Sequence, residues 1–204
     1  MFTGIVQAKC ELLNIEESPG LKTFEVAMTQ ALVQGLVPGA SVANNGVCLT
    51  VTKVLNDKVF FDVMEETLTL TNLAHLSVSD NINIERSLTF GSEIGGHILS
   101  GHVHCQARVS AISHTDTHYN IEVSLDAKWM NYIFYKGFVG VNGCSLTVGA
   151  VNKTGFILHL IPETLALTNL SELVVGDFIN IEIDSQTQVI VDTVERVLAQ
   201  RGLV

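Results

Sequence analysis

Apolar and polar residues alternate along six short stretches: 22–28, 47–54 and 81–85 in the first half, then 118–125, 145–151 and 178–183 in the second. A period of two sends successive side chains to opposite faces, so each stretch predicts a half-buried β-strand. Turn residues stand between them: Asn45-Gly46, Asn56-Asp57, Asn142-Gly143 and Lys153-Thr-Gly155. Short helical pieces are expected over 30–36 and 127–136. The pattern changes at the end, where 188–201 is rich in helix formers with a stripe at Ile190, Val194, Val197 and Leu198, and Gly202 marks the stop. Short strands with regular turns predict small closed barrels. The helix stripe has to be covered, and its own barrel or a second copy of the chain would both serve.

Comparing each position with the one 97 residues later organises the rest. Gly46-Val-Cys-Leu-Thr-Val51 falls on Gly143-Cys-Ser-Leu-Thr-Val148, and 14 of the 20 residues over 66–85 are identical without a gap. Gly4 and Val6 fall on Gly101 and Val103, and matching stops after Ser87 and Asp184. The expected layout is an N-terminal barrel over 1–97, including a connector at 88–97, a C-terminal barrel over 98–184, and a helix over 185–204. The fold class is all-β: two tandem barrels from an internal duplication, plus a C-terminal α-helix.

Composition narrows the function. With 47% hydrophobic and 16% charged residues, the 204-residue chain is not of the disordered class. Eleven Lys and Arg against 21 Asp and Glu give a net charge of −10, a poor match to a phosphate backbone, so no nucleic-acid partner is expected. No apolar run reaches the roughly 18 residues of a membrane helix, and the N-terminus carries no secretory pattern. A cytoplasmic protein is expected, with Cys10, Cys48, Cys105 and Cys144 as thiols.

Two copies of one fold suggest two copies of one site, and the places where the repeat breaks are then informative. Cys48 faces Ser145, Ile5 faces His102, Ser41 faces Phe138, Met64 faces Ile161 and Ser87 faces Asp184. A hydroxyl, a histidine and a carboxylate on one half against a thiol on the other would support proton transfer at one site only. Neutral drift produces such differences too.

Residues 1–6 (Met1-Phe-Thr-Gly-Ile-Val6), Asn45–Val51, Gly95-Gly-His-Ile-Leu-Ser-Gly-His102 and Gly143–Val148 resemble the riboflavin synthase α-subunit family over nearly the whole chain. The resemblance implies two six-stranded Greek-key barrels and a transferase that needs no cofactor and no metal. In the implied dismutation, two molecules of 6,7-dimethyl-8-ribityllumazine exchange a four-carbon unit, giving riboflavin and 5-amino-6-(ribitylamino)uracil. It further implies a homotrimer held by the C-terminal helices, with two lumazines in each active site between subunits. Association with lumazine synthase is left open. The alternative within the same family is a non-catalytic, antenna-type lumazine- or flavin-binding protein, but such relatives usually lose the motif in one repeat, whereas both are intact here.

By resemblance the catalytic candidates are Ser145, Cys48, His102 and Asp184. Cys48 and Ser145 would touch the bound ring as nucleophile or proton carrier, although either also reads as a small buried strand residue, and no base that would activate them is evident in the sequence. His102 is the expected proton shuttle, since imidazole titrates near neutral pH. A zinc site from His102, His104 and Cys105 is not expected, because alternation puts Cys105 on the other strand face. Asp184 would neutralise charge at the ring or cap the last helix. Gly4, Ile5 and Val6, with Gly101, His102 and Val103, would pass close to the rings. Ser41, Leu49, Thr50, Leu146 and Thr147 would flank them, and Lys136 would approach the ribityl chain or the subunit boundary. The matching strand-and-turn segments Asp62, Val63, Met64, Glu65, Glu66 and Thr67, and Leu160, Ile161, Pro162, Glu163, Thr164 and Leu165, would line the two ribityl pockets.

Overall fold

The computed structural model describes residues 1–115 and 118–203. Among them, twelve strands close into two antiparallel barrels. The first contains β1 (Ala8–Ser18), β2 (Leu21–Ala27), β3 (Ser41–Asn44), β4 (Val47–Leu55), β5 (Lys58–Met64) and β6 (Asn81–Arg86), in the order β1-β2-β5-β4-β3-β6. The second contains β7 (Cys105–His114), β8 (Tyr119–Ser124), β9 (Phe138–Val141), β10 (Cys144–Val151), β11 (Gly155–Leu160) and β12 (Phe178–Ile183), and repeats that order after a shift of six. The β2–β5 and β3–β6 neighbours are the long connections of a Greek key. Register shifts recur at matching places, after Leu12 and Val109 and after Val51 and Val148, so the duplication preserved its β-bulges.

Alternation puts Leu12, Phe24, Val26, Val59, Phe61, Val63, Ile82 and Ile84 inside the first barrel. Val109, Ile121, Val139, Val148, Phe156, Leu158, Ile179 and Ile181 fill the second. Both interiors are packed side chains, which leaves ligand chemistry to the outer faces and the junctions. Short helices α1 (Gln30–Val33) and α3 (Ala127–Met130) form within the expected windows. Two more were not anticipated: α2 (Glu65–Leu70) and α4 (Pro162–Leu167) occupy stretches that read as strand-and-turn. Six residues are too few to show a helical period. Their start signals are Glu65 and Glu66 in one first turn, and Pro162 and Glu163 in the other.

The barrels join through six buried or nearly buried asparagines, which pair in the repeat as 45/142, 72/169 and 83/180. The Asn72 amide donates to Asn180 Oδ1 (2.7 Å) and the Asn169 amide to Asn83 Oδ1 (2.7 Å). Asn83 Nδ2 donates to the Asn142 carbonyl and Asn180 Nδ2 to the Asn45 carbonyl, both at 2.9 Å. Each Asn-Gly turn that ends a β3-type strand is thus fastened to the other barrel.

Two segments cross between the halves. Phe2 and Leu99 form a bridge and pack with Ala43. Thr3 and Gly4 donate three hydrogen bonds to buried Glu85 on β6, and the Gly4 carbonyl then accepts from Ser145 N on β10 of the other barrel (2.8 Å). In mirror fashion Ser100 and Gly101 are held by Glu182 on β12, and the Gly101 carbonyl accepts from Cys48 N on β4 (2.9 Å). The segments that precede the first strand of each repeat therefore serve the opposite barrel.

The C-terminal helix α5 (Ser185–Gln200) starts at Asp184, whose carboxylate accepts from the amides of Gln186 and Thr187. Its own barrel leaves most of the expected stripe uncovered: Ile190, Val194 and Val197 are 40–64% exposed, with Val189 exposed beside them, while Leu198 is half-buried. Its polar side is tethered instead, by Tyr132 to Asp192 and Asn131 to Glu195. Among the described residues, no helix is long and apolar enough to cross a membrane.

Candidate active site

The crossing segments build two matching clefts. The first, of about 180 Å³, is lined by Val47, Cys48, Glu66, Thr67, Leu70, Thr71, Gly101, His102 and Val103. The second, of about 200 Å³, is lined by Gly4, Ile5, Val6, Cys144, Ser145, Leu146, Ile161, Glu163, Thr164, Leu167 and Thr168. Each combines an outward-facing strand position, a short helix and the segment from the other half. Cys48 and Ser145 are half-buried while Leu49 between Cys48 and Thr50 points inward, so Cys48 with Thr50, and Ser145 with Thr147, share the outer faces of β4 and β10.

Most residues expected at the site gather at these clefts, with one regrouping. His102 belongs to the cleft of Cys48, and not to that of Ser145, because residues 100–103 cross to the first barrel. Ser145, His102 and Asp184 therefore do not sit together on one half. Val63, Leu49 and Leu160 turn their side chains into the barrel cores. Ser41 pairs with Thr50 in the β3–β4 ladder, as Phe138 pairs with Thr147 in β9–β10. Asp62 accepts from Thr23 Oγ1 on the outer surface (2.7 Å). Met64 and Ile161 cap α2 and α4 with exposed side chains, followed by Glu65 and Pro162 in the first turns. Leu165 packs on the second core. Lys136 stands in a left-handed turn (φ 64°), its amine over the Tyr135 ring. Asp184 fills the helix-cap role. His104 accepts from the Ile183 amide and meets Gln188, so its ring is engaged away from Cys105.

One residue beside Ser145 entered the sequence reading only as part of the Gly95–His102 motif, with no role of its own. His97 Nδ1 lies 2.6 Å from Ser145 Oγ, and the His97 amide donates to the same oxygen (3.1 Å). The His97 ring is only 8% exposed and stacks on Phe138, with centroids 5.2 Å apart. Burial lowers its pKa, and the nearby Asp184 and Glu182 carboxylates oppose that shift. The signal available in the sequence was oblique: Ser145, Phe138 and Asp184 are three of the five repeat breaks, and His97 is the group near all three.

Burial pushes the thiols of Cys10, Cys105 and Cys144 up to about 11, 12 and 12. At pH 8 such thiols are thiolate to roughly 0.1% or less. Cys48 opens onto a cleft, so limiting iodoacetamide at pH 8 is expected to alkylate Cys48 first, read by peptide mass spectrometry. Equal labelling of all four thiols would contradict the burial pattern.

Paired clefts on a duplicated barrel place the chain among lumazine-binding proteins: the Lumazine binding domain model matches residues 3–87 and 100–184. Riboflavin synthase of Escherichia coli (strain K12) is 50% identical over 202 residues, spanning 98% of this chain and 95% of that protein. Riboflavin synthase of Chlamydia pneumoniae is 41% identical over 202 residues, spanning 99% of each. The chain belongs to the riboflavin synthase family. The crystal structure of LumP complexed with riboflavin matches with a TM-score of 0.83 at 24% identity, covering 90% of this chain and 99% of that one, a likeness of fold.

Proposed function

We propose that the chain catalyses the riboflavin synthase reaction, a transferase chemistry in which two molecules of 6,7-dimethyl-8-ribityllumazine yield riboflavin and 5-amino-6-(ribitylamino)uracil. The observation that carries this reading is the pair of open clefts with different reactive groups. Each is smaller than the roughly 300–1,000 Å³ of an enclosing small-molecule pocket, which suits partial cover of one ring with a second ring completing the enclosure. Stacking two rings face to face supplies much of the catalysis as positioning, worth up to ~10 kcal/mol in favourable cases.

Three groups of residues divide the work. Cys48 and Ser145 touch the rings. His102, an exposed imidazole at the first cleft, takes a proton from the C7 methyl, which conjugation to the electron-poor ring makes acidic. Glu66 with Thr67, and Glu163 with Thr164, accept hydroxyl hydrogen bonds from the ribityl chains. The chemistry asks for no cofactor. The alternative is a non-catalytic, antenna-type binder; against it, the relatives 41–50% identical over nearly the full chain are named riboflavin synthase.

In this reading the active site lies between subunits of a homotrimer, the first cleft of one chain facing the second cleft of its neighbour. The uncovered stripe of α5 supports that assembly. The protein works in the cytoplasm, where its four free thiols suit a reducing compartment. Ile190→Asp with Val194→Asp is expected to give a monomer by analytical ultracentrifugation that still binds lumazine but turns it over at least tenfold more slowly. A fully active monomer would refute the inter-subunit site. A wild-type protein that binds lumazine without turnover would refute the enzyme.

A further inference from the structure

Both clefts carry negative charge that no ion pair cancels. Glu66 lines the first and Glu163 the second, and neither lining contains a lysine or an arginine. The imidazole of His102, also in the first lining, serves the ring in the reading above. The ion pairs of the described residues, Lys9–Glu172, Lys22–Glu17 and Lys58–Glu25, leave Glu66 and Glu163 out. The first cleft has more of this charge than the second. Along the repeat, Asp62, Glu65 and Glu66 fall on His159, Pro162 and Glu163. Glu65 and Glu66 form the acidic first turn of α2, where they already answer the positive end of its backbone dipoles. Three carboxylates thus stand at or beside the start of α2 where α4 has one, and a chain of net charge −10 adds no attraction for an anion.

We propose that these carboxylates make the clefts, the first above all, reject a phosphate on the terminal hydroxyl of the ribityl chain, so that the site selects unphosphorylated ribityl compounds. The inference rests on the riboflavin synthase reading and adds the ligand selectivity of that same site. A ribityl chain is a neutral polyol whose hydroxyls donate to carboxylate oxygens. A phosphate ester removes the terminal donor, brings acceptors only, and carries about −1.5 to −2 charge at pH 7. It then meets Glu66 as acceptor against acceptor and like charge against like. Such repulsion discriminates between ligands as effectively as a new attractive contact. Glu66 is the specificity-determining residue of the first cleft, with Glu65 and Asp62 adding to its field. At the second cleft Glu163 acts without those two. One consequence is that a phosphorylated flavin does not compete for the site that makes riboflavin.

Riboflavin and riboflavin 5′-phosphate share one ring and differ only in the charged group, so the ratio of their dissociation constants isolates its effect. On the full-length protein, first-cleft occupancy is read as protection of Cys48 from iodoacetamide. Second-cleft binding is read by calorimetric titration after Cys48 has been carboxamidomethylated. The phosphate is expected to bind ~10–100-fold more weakly than riboflavin at the first cleft, and to be discriminated less at the second. Raising the salt should shrink the first-cleft ratio, because exposed charges are screened. Glu66→Gln keeps an oxygen acceptor without the charge, and should narrow that ratio by about threefold or more. A merely structural loss would weaken both ligands together and leave the ratio where it was. A phosphate bound as tightly as riboflavin at the first cleft, a ratio indifferent to salt or to Glu66→Gln, or stronger discrimination at the second cleft would each overturn the proposal. A protein that holds neither riboflavin nor lumazine would instead sink the reading on which it rests.

Discussion

Alanine at Gly4 is expected to abolish the second cleft, and alanine at Gly101 the first. Both glycines sit in the left-handed region, at φ 73° and 81°. A Cβ on Gly4 would lie 2.5 Å from Ser145 Cβ and 2.8 Å from Ser145 N, and a Cβ on Gly101 would lie 2.5 Å from Cys48 Cβ and 2.9 Å from Cys48 N. The left-handed conformation alone costs a residue with a Cβ about 1–2 kcal/mol. The overlap with strand backbone adds to that, and the glycine-carbonyl hydrogen bond to β4 or β10 is lost with it, at ~1 kcal/mol. Calorimetric titration should find one lumazine per chain in each variant instead of two, and turnover should fall at least 100-fold. Co-expressing the two variants should restore a measurable fraction of activity, because the sound first cleft of a Gly4→Ala chain meets the sound second cleft of a Gly101→Ala neighbour. No recovery in mixed oligomers would place both lumazines within a single chain.

The second large effect concerns the junction between barrels. Asn180 accepts the Asn72 amide, donates from Nδ2 to the Asn45 carbonyl and gives its own amide to Asn142 Oδ1, all in the interior. Asn180→Ala leaves the Asn72 N–H and the Asn45 carbonyl unpaired, at ~1–3 kcal/mol for each stranded group. For a chain of this size the combined loss of about 2–6 kcal/mol lowers Tm by roughly 4–24 °C in differential scanning calorimetry. A shift under 2 °C would mean that the asparagine network contributes little to the joining of the halves.

These two sites also mark where the sequence stopped being legible. Alternation in 47–54 and 145–151 announced β4 and β10, and the constant offset of 97 announced two barrels, because strand period and duplication are both written linearly. The asparagines were visible only as turn residues or polar strand positions. Their common offset was the available clue, but nothing in one sequence says that Asn72 reaches Asn180 across an interface. Chain order assigned Gly4 to the first barrel and His102 to the second. Each segment crosses because a carboxylate about 80 residues away, Glu85 or Glu182, holds it beside the other barrel's strand, and such long-range pairing leaves no local pattern. His97 was harder still: it stands in the Gly95–His102 motif, but in a connector that the repeat does not cover, so no partner position in the other half marks it out. The helices α2 and α4 were lost for a simpler reason, being shorter than two turns.

The most direct test of the account is a product count. Purified, metal-stripped protein is incubated with 6,7-dimethyl-8-ribityllumazine as the only organic substrate, and substrate and products are quantified by chromatography at several times. The account predicts two lumazines consumed for each riboflavin formed, with one 5-amino-6-(ribitylamino)uracil released alongside. Lumazine bound in both clefts but recovered unchanged would contradict it and make the chain a carrier of the ligand.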